Sequence, residues 1–84
     1  MANDLYPYYF LTRGITGNDV RRFQKFLLAI CRFDKSIPGV RVNGVFDDLT
    51  LSSINKIQSD YGFEVNGIVG PLLWDKIVSL SKRK

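Results

Sequence analysis

Apolar residues recur along the first half of the chain with the spacing of an α-helix. The main stripe is Val20, Phe23, Leu27 and Cys31, and Phe26, Ile30 and Phe33 form a second stripe beside it. Residues three or four positions apart share one face of a helix. We therefore predict a helix over residues 18–32, packed against more than one neighbour because its apolar face is wide. Asn18 or Asp19 is expected to cap its first turn.

Two further helices are predicted from shorter patterns, over residues 48–61 and 71–81. Their apolar positions are Leu51, Ile54, Ile57 and Tyr61 in one, and Leu73, Ile77 and Leu80 in the other, with Trp74 and Val78 beside them. Asp47 or Asp48 supplies the capping oxygen at the start of the first of these, and Gly62 ends it. Pro71 suits the first position of the last helix.

A segment of eight residues occurs twice in similar form, at residues 42–49 and at residues 65–72. Each copy contains an Asn-Gly turn and leads into a helix, and the copies lie too close together for two independent cores, so they are expected to share one. Val40, Val42 and Val45 form a possible minimal hairpin around the first turn. Gln24 and Gln58 hold matching places on the two preceding helices. Each amide is expected to bond to the backbone of a repeat loop, with a direct ligand contact as the alternative.

Before the first helix the chain is rich in aromatic residues. Tyr6, Tyr8, Tyr9 and Phe10 surround Pro7, which argues against a helix there. We expect an extended arm laid over the core, since large aromatic rings tend to be buried. The alternative is an exposed aromatic platform for a sugar or a peptide.

Length and composition favour one small globular domain over residues 1–84. No apolar run approaches the roughly 20 residues that a membrane span needs, so no membrane insertion is expected. Met1 to Asp4 do not resemble the start of a secretory signal. The protein is therefore expected to leave its cell by another route, or the chain is part of a longer one.

The residue types exclude several kinds of chemistry. The chain has one cysteine and no histidine, which leaves no disulfide within the chain, no zinc site and no histidine general base. No cofactor is expected, and Cys31 is interpreted as a small buried apolar residue. The carboxylates have simple capping or surface roles, so a paired-carboxylate enzyme is not favoured.

The formal net charge of +4 favours anionic partners. Arg21, Arg22, Lys25 and Arg32 lie on the polar side of the first predicted helix. Such a face is usually only solvated, but it also suits attraction of an anionic polymer. Nucleic acid, teichoic acid and anionic lipid headgroups all satisfy the charge. A nucleic-acid-binding domain is the less favoured reading, because no helix presents a base-reading set of side chains.

Taken in order, these motifs resemble the bacterial peptidoglycan-binding-like domain, a three-helix module attached to many cell-wall hydrolases. The resemblance covers about residues 10–78 and rests on an ordered set of pieces. They are Phe10-Leu11, Gly14, residues 17–27, residues 43–50, Ile54, Ile57-Gln58 and residues 61–77. Asn replaces the family's Asp before both turn glycines, Asp47 replaces a glycine, and Leu73 replaces a threonine. The loop after the first helix is longer than usual.

The resemblance implies an all-α fold, a small three-helix orthogonal bundle with two repeated turn–helix units. It implies a non-catalytic module, expected to be a monomer at the cell wall, that binds peptidoglycan and brings an attached or partner hydrolase to its substrate, as in a phage lysin. The less favoured alternatives are a nucleic-acid-binding domain and a protein–protein adaptor or phage structural part.

Six residues in or beside the repeat loops are the candidate ligand contacts: Arg41, Asn43, Asp48, Tyr61, Asn66 and Trp74. Their side chains offer hydrogen-bond donors, acceptors and aromatic faces that suit a muropeptide. The structural alternative is turn and cap chemistry for the four loop residues, and burial in the core for the two aromatic ones.

Overall fold

The computed structural model describes residues 5–82, which form three helices. They are α1 (Asn18–Phe33), α2 (Asp48–Asp60) and α3 (Pro71–Ser81). The all-α prediction is confirmed, and each predicted helix is present with its ends within one residue. The expectation for Met1 to Asp4 lies outside the described residues.

The helix ends follow local chemistry, with one correction. Asp47 caps α2 by accepting a hydrogen bond from the Thr50 N–H at 3.0 Å, and Pro71 opens α3. The prediction that Asn18 or Asp19 caps α1 is wrong. Gly17 holds the N-cap position without a side-chain bond, because the Asp19 carboxylate is engaged by Tyr9 and Arg22 instead.

Trp74 lies at the centre of the core with no exposed surface. Its ring stacks on Phe23 of α1 at 5.4 Å between centroids. The rings of Tyr6 and Phe26 meet it edge-on, each at 5.8 Å. Burial of such large rings makes a large contribution to the apolar stabilisation of a small core. Val20, Ile54, Ile57 and Ile77, which are apolar positions of the predicted helices, are also buried, as is Phe46. Cys31, interpreted from the sequence as buried, is only partly buried, and Phe33 and Tyr61 of the predicted apolar stripes are exposed.

The minimal hairpin predicted around Asn43-Gly44 does not form. The first turn pairs instead with the segment before α1, through an antiparallel bridge between Thr16 and Val45. The second turn pairs with the same segment through a bridge between Leu11 and Val69. Within residues 5–82 the extended pairing consists of these isolated bridges. A hairpin of two short strands is marginal alone, whereas pairing with a third segment buries more backbone.

The aromatic arm covers the core only in part. Tyr6 is half-buried against Trp74, and Leu11 is fully buried. Tyr8 is 88% exposed and has a φ of 71°, a left-handed backbone that is unusual for a bulky residue. Phe10 is also exposed. The arm therefore both shields the core and presents aromatic rings to solvent.

Candidate functional site: the two repeat loops

The first repeat loop (residues 41–47) is held by the buried amide of Gln24. Its Oε1 accepts hydrogen bonds from the backbone N–H groups of Asn43 and Gly44, at 3.0 and 2.9 Å. Its Nε2 donates to the Val45 carbonyl at 2.8 Å and to the Thr50 hydroxyl at 3.0 Å. The predicted structural role of Gln24 is confirmed: one amide satisfies several polar groups of a tight turn that would otherwise be buried without partners.

The second repeat loop (residues 64–70) is held in the same way by Gln58. Oε1 of Gln58 accepts from the N–H groups of Asn66 and Gly67, at 3.2 and 3.0 Å. Its Nε2 donates to the side-chain oxygen of Asn66 at 2.9 Å and to the Ile68 carbonyl at 3.4 Å. The sequence repeat is therefore a repeat of hydrogen-bond geometry, and the role predicted for Gln58 is also confirmed.

The segment before α1 is hydrogen-bonded to both loops. The Leu11 N–H donates to the Val69 carbonyl at 3.1 Å, and the Val69 N–H donates back at 2.9 Å. Three residues further on, the Gly14 N–H donates to the Phe46 carbonyl at 3.0 Å. The Gly17 N–H then donates to the Gly44 carbonyl at 2.9 Å. Both loops are thus fixed against one extended segment.

The two loops differ in chemistry where α2 and α3 begin. In the first loop Asp47 caps α2, and Asp48 forms an ion pair with Arg13 at 2.7 Å. At the matching positions of the second loop stand Gly70 and Pro71, and α3 has no side-chain cap. The first loop is therefore charged at its helix start, whereas the second is apolar.

A groove of about 250 Å³ lies beside the second loop and the first turn of α3. Its lining includes Phe63, Glu64, Asn66, Ile68, Pro71 and Leu72. Leu72 is 76% exposed, and Ile68 is also exposed. The Phe10 ring lies against Gly70, where a Cβ atom would come within 3.1 Å of it. The groove thus combines an apolar wall with a carboxylate and an amide at its edge.

Hydrogen bonds and burial shift the pKa of several side chains from their ordinary values. The hydrogen bond from the Thr50 N–H lowers the pKa of Asp47 below its ordinary value. Hydrogen bonds from Arg22 and Tyr9 lower the pKa of Asp19.

No group of three or more potential metal ligands occurs among residues 5–82. In the same part of the chain, no helix is long and apolar enough to cross a membrane.

The structure separates the six predicted contact residues into three places. Arg41, Asn43 and Asp48 lie at the first loop, and all three are exposed. The side-chain oxygen of Asn43 is used within the loop, because it accepts from the Val45 N–H at 3.0 Å and from Gln24 Nε2 at 3.3 Å. Turn chemistry therefore accounts for this oxygen.

Asn66 and Tyr61 lie at the second loop. The Asn66 oxygen accepts from the Ile68 N–H at 3.0 Å, as its counterpart does in the first loop. Tyr61 is 37% exposed, and the Lys76 ammonium lies over its ring at 4.8 Å from the centroid. Both residues stay predictions as ligand contacts.

The prediction of Trp74 as a ligand contact is wrong. The ring has no exposed surface, because aromatic rings from the arm and from α1 enclose it. Sequence reasoning also missed the groove residues Phe63, Ile68 and Leu72. The sequence feature that could have revealed them is the presence of apolar residues, Ile68 and Leu72, at positions of the second repeat copy that are exposed to solvent.

Comparison with known proteins agrees with this geometry. Residues 16–77 match the family model named "Putative peptidoglycan binding domain". A solved structure, "The crystal structure of SleB N-terminal domain", has a TM-score of 0.77 and 24% identity, covering 93% of this chain and 100% of that one. At that identity the likeness shows a shared fold. No curated protein sequence gives a significant match. Because the family model spans most of the chain, this protein belongs to the peptidoglycan binding domain family.

Proposed function

We propose that the chain binds peptidoglycan at the groove beside the second loop. The observation that carries this proposal is the combination of an exposed apolar wall, formed by Ile68 and Leu72, with the polar edge of Glu64 and Asn66. Peptidoglycan presents methyl groups and sugar faces beside amides, hydroxyls and charged groups. Ligand sites of this kind are concave and mostly apolar, with a few polar groups that set orientation.

The remaining exposed candidates would contribute at the edges of this surface. Tyr61 is the C-cap residue of α2, just before the second loop, so its exposed ring is available to a ligand that extends beyond the groove. Arg41, Asn43 and Asp48 would contact a ligand only if it also reached the first loop. We expect these contacts to be weaker than those in the groove, because they lie on open surface, where hydrogen bonds compete with water.

We further propose that binding serves to hold a hydrolase, attached or separate, close to its substrate. Tethering raises the effective concentration of the catalytic domain without any chemistry by the binding module. Modest affinity is then sufficient. The module itself is proposed to be non-catalytic, to act as a monomer and to work at the cell wall.

The test is sedimentation of the purified domain with insoluble peptidoglycan. Leu72→Asp places a charge on the apolar wall and should weaken binding about tenfold or more, in line with the loss of a buried leucine contact. The substitution should not harm folding, because Leu72 is exposed at the second position of α3, where an acidic residue is favourable.

The repeat provides a matched control for this variant. Leu49 holds the same position at the start of α2 and is also exposed, so Leu49→Asp makes the same change beside the first loop. We expect Leu49→Asp to bind like the unmodified domain. Equal binding by all three proteins, or a loss with Leu49→Asp alone, would rule out the groove as the binding site.

A further inference from the structure

Three basic residues that lie outside the ion pairs of the described chain share one side of α1. Arg21, Lys25 and Arg32 are all exposed, and none of them takes part in the ion pairs of residues 5–82. In contrast, Arg13 and Lys56 are each paired with a carboxylate. Lys35, Arg41 and Lys76 also stand outside these ion pairs, but they lie on separate segments. Among the described helices, α1 is therefore the one that carries a row of such cations.

These three residues form a continuous strip, which we call the α1 strip. They are separated by four and seven positions, so they share one face of the helix. At a rise of about 1.5 Å per residue, they cover roughly 16 Å along the axis. The strip thus presents three cations in a row, at intervals of one and two helical turns.

No carboxylate of α1 shares this face. Asp19, the acidic residue of the helix, is turned toward the arm, where it accepts hydrogen bonds from the Tyr9 hydroxyl at 2.8 Å and from Arg22 at 2.9 Å. Asp34 follows the helix and accepts from the Ser36 hydroxyl at 2.6 Å. Because these nearby carboxylates are engaged elsewhere, the positive electrostatic potential of the strip remains available to an external anion.

We propose that the α1 strip binds a phosphodiester-linked polyol chain of the cell wall, at a surface separate from the groove. The guanidinium groups of Arg21 and Arg32 can each hold two phosphate oxygens, and Lys25 adds a point charge between them. A flexible chain with one phosphate per short polyol unit can match these intervals. The proposal rests on the proposed function only because peptidoglycan binding brings such a chain within reach.

The strip does not have the side chains that favour nucleic acid. Single-stranded nucleic acids are held by cations together with aromatic rings on which successive bases stack. Phe23 and Phe26 of α1 pack on Trp74, which leaves Phe33, at the end of the helix, as its exposed aromatic ring. A single ring does not form a platform for successive bases. A polyanion without bases needs only the charges, which is what the strip offers.

The test is binding of purified poly(glycerol phosphate) to the domain at several salt concentrations, followed by fluorescence anisotropy. The variant Arg21→Gln/Lys25→Gln/Arg32→Gln should bind at least about tenfold more weakly at low salt. Its slope of log affinity against log salt should fall by about 2, since each phosphate contact on a flexible chain contributes about 0.7. Glutamine retains helix propensity, and circular dichroism checks folding.

A control variant with the same net charge distinguishes binding by the α1 strip from a general effect of positive charge. Lys56→Gln/Lys76→Gln/Lys82→Gln removes three cations outside α1 and should retain the affinity and most of the slope. Equal losses in the two triple variants would overturn the proposal, as would absence of binding by the unmodified domain. Equal or tighter binding of duplex DNA, or of vesicles containing anionic lipid, at matched salt and phosphate would also overturn it.

Cell walls before and after chemical removal of phosphodiester polymers distinguish this proposal from the groove. We expect the strip variant to bind stripped peptidoglycan like the unmodified domain, and to lose only the extra affinity for untreated walls. If the unmodified domain fails to bind stripped peptidoglycan but binds poly(glycerol phosphate), the groove proposal fails and the strip stands. If removal of the polymers changes nothing, the strip proposal fails and the groove stands.

Discussion

At the scale of single residues, the loops depend on two buried amides and two glycines. Gln24 and Gln58 each satisfy buried or partly buried donors and acceptors of one turn. Gly44 and Gly67 adopt φ angles of 78° and 70°, which other residues reach only with strain. The side-chain oxygens of Asn43 and Asn66 complete the same hydrogen-bond network. The primary role of both residues is therefore to stabilise their turns.

Gly67→Ala should be the more damaging of two glycine substitutions that we compare. A Cβ atom at this position would lie 2.5 Å from Leu51 Cδ1 and would also carry the strain of a positive φ. We expect a loss of about 2 kcal/mol or more in the free energy of unfolding, since the left-handed backbone alone costs roughly 1–2 kcal/mol. Urea denaturation followed by circular dichroism gives the value.

Gly39→Ala is the matched control, because a Cβ atom there meets nothing within 4 Å and its φ is not positive. It should change the free energy of unfolding by less than about 0.5 kcal/mol. A stability for Gly67→Ala equal to that of Gly39→Ala would show that the second turn relaxes freely and does not need glycine.

At the scale of elements, α2 and α3 begin in chemically different ways although their sequences repeat. The Asp47 side chain caps α2 and also accepts from the Thr50 hydroxyl at 2.9 Å. Gly70 precedes α3 without a cap, and Leu73 replaces the threonine of the first copy. This substitution of apolar for polar residues produces the groove at the second loop, while the first loop keeps an ionic helix start.

The cap makes the stability of α2 sensitive to acid. The pKa of Asp47 is lowered in the folded protein, chiefly by the Thr50 N–H, so the ionised form stabilises the fold. This contribution is complete above the unfolded pKa of about 3.8 and is lost as the pH falls through the lower folded value. Thermal unfolding between pH 7 and pH 2 should therefore show a loss of stability on the acid side.

Asp47→Asn tests the contribution of this one carboxylate. Asparagine is as good a capping residue as aspartate, so stability at pH 7 should change by less than about 1 kcal/mol. The acid loss should become shallower without disappearing, since the pKa of Asp19 is lowered as well. If Asp47→Asn lost as much stability in acid as the unmodified protein, Asp47 would not be a source of the pH dependence.

At the scale of the whole molecule, the two repeat units share one core and one bracing segment. The core cluster includes residues from the arm, both loops and all three helices. The bridges from Leu11 and Thr16 connect the loops to each other through the backbone. Neither unit encloses its apolar side chains alone, which is the usual condition of repeats with a common interior.

Unfolding should therefore be a single cooperative transition. Gln24→Ala removes the amide that holds the first loop and should cost about 2–3 kcal/mol, because several buried groups lose their partners. We expect far-ultraviolet circular dichroism and Trp74 fluorescence to shift together in urea. The tryptophan lies on α3, so an unshifted fluorescence midpoint in Gln24→Ala would show that the two units unfold independently.

Local patterns in the sequence determined the three helices, the two turns and the structural use of both glutamines. Helical spacing, capping residues and Asn-Gly turns act over a few positions, so they can be read without knowing the neighbours. The order of these pieces also carried the family resemblance. The basic side of α1 was visible for the same reason, since its members share one helix.

Tertiary structure decided which of these residues face a ligand. The burial of Trp74 depends on rings from Tyr6, Phe23 and Phe26, far apart in the chain. The pairing of both turns with the segment before α1 replaced the expected hairpin, and the groove exists only where the second loop meets α3. Such contacts depend on how distant segments share one core, and no local pattern encodes that packing.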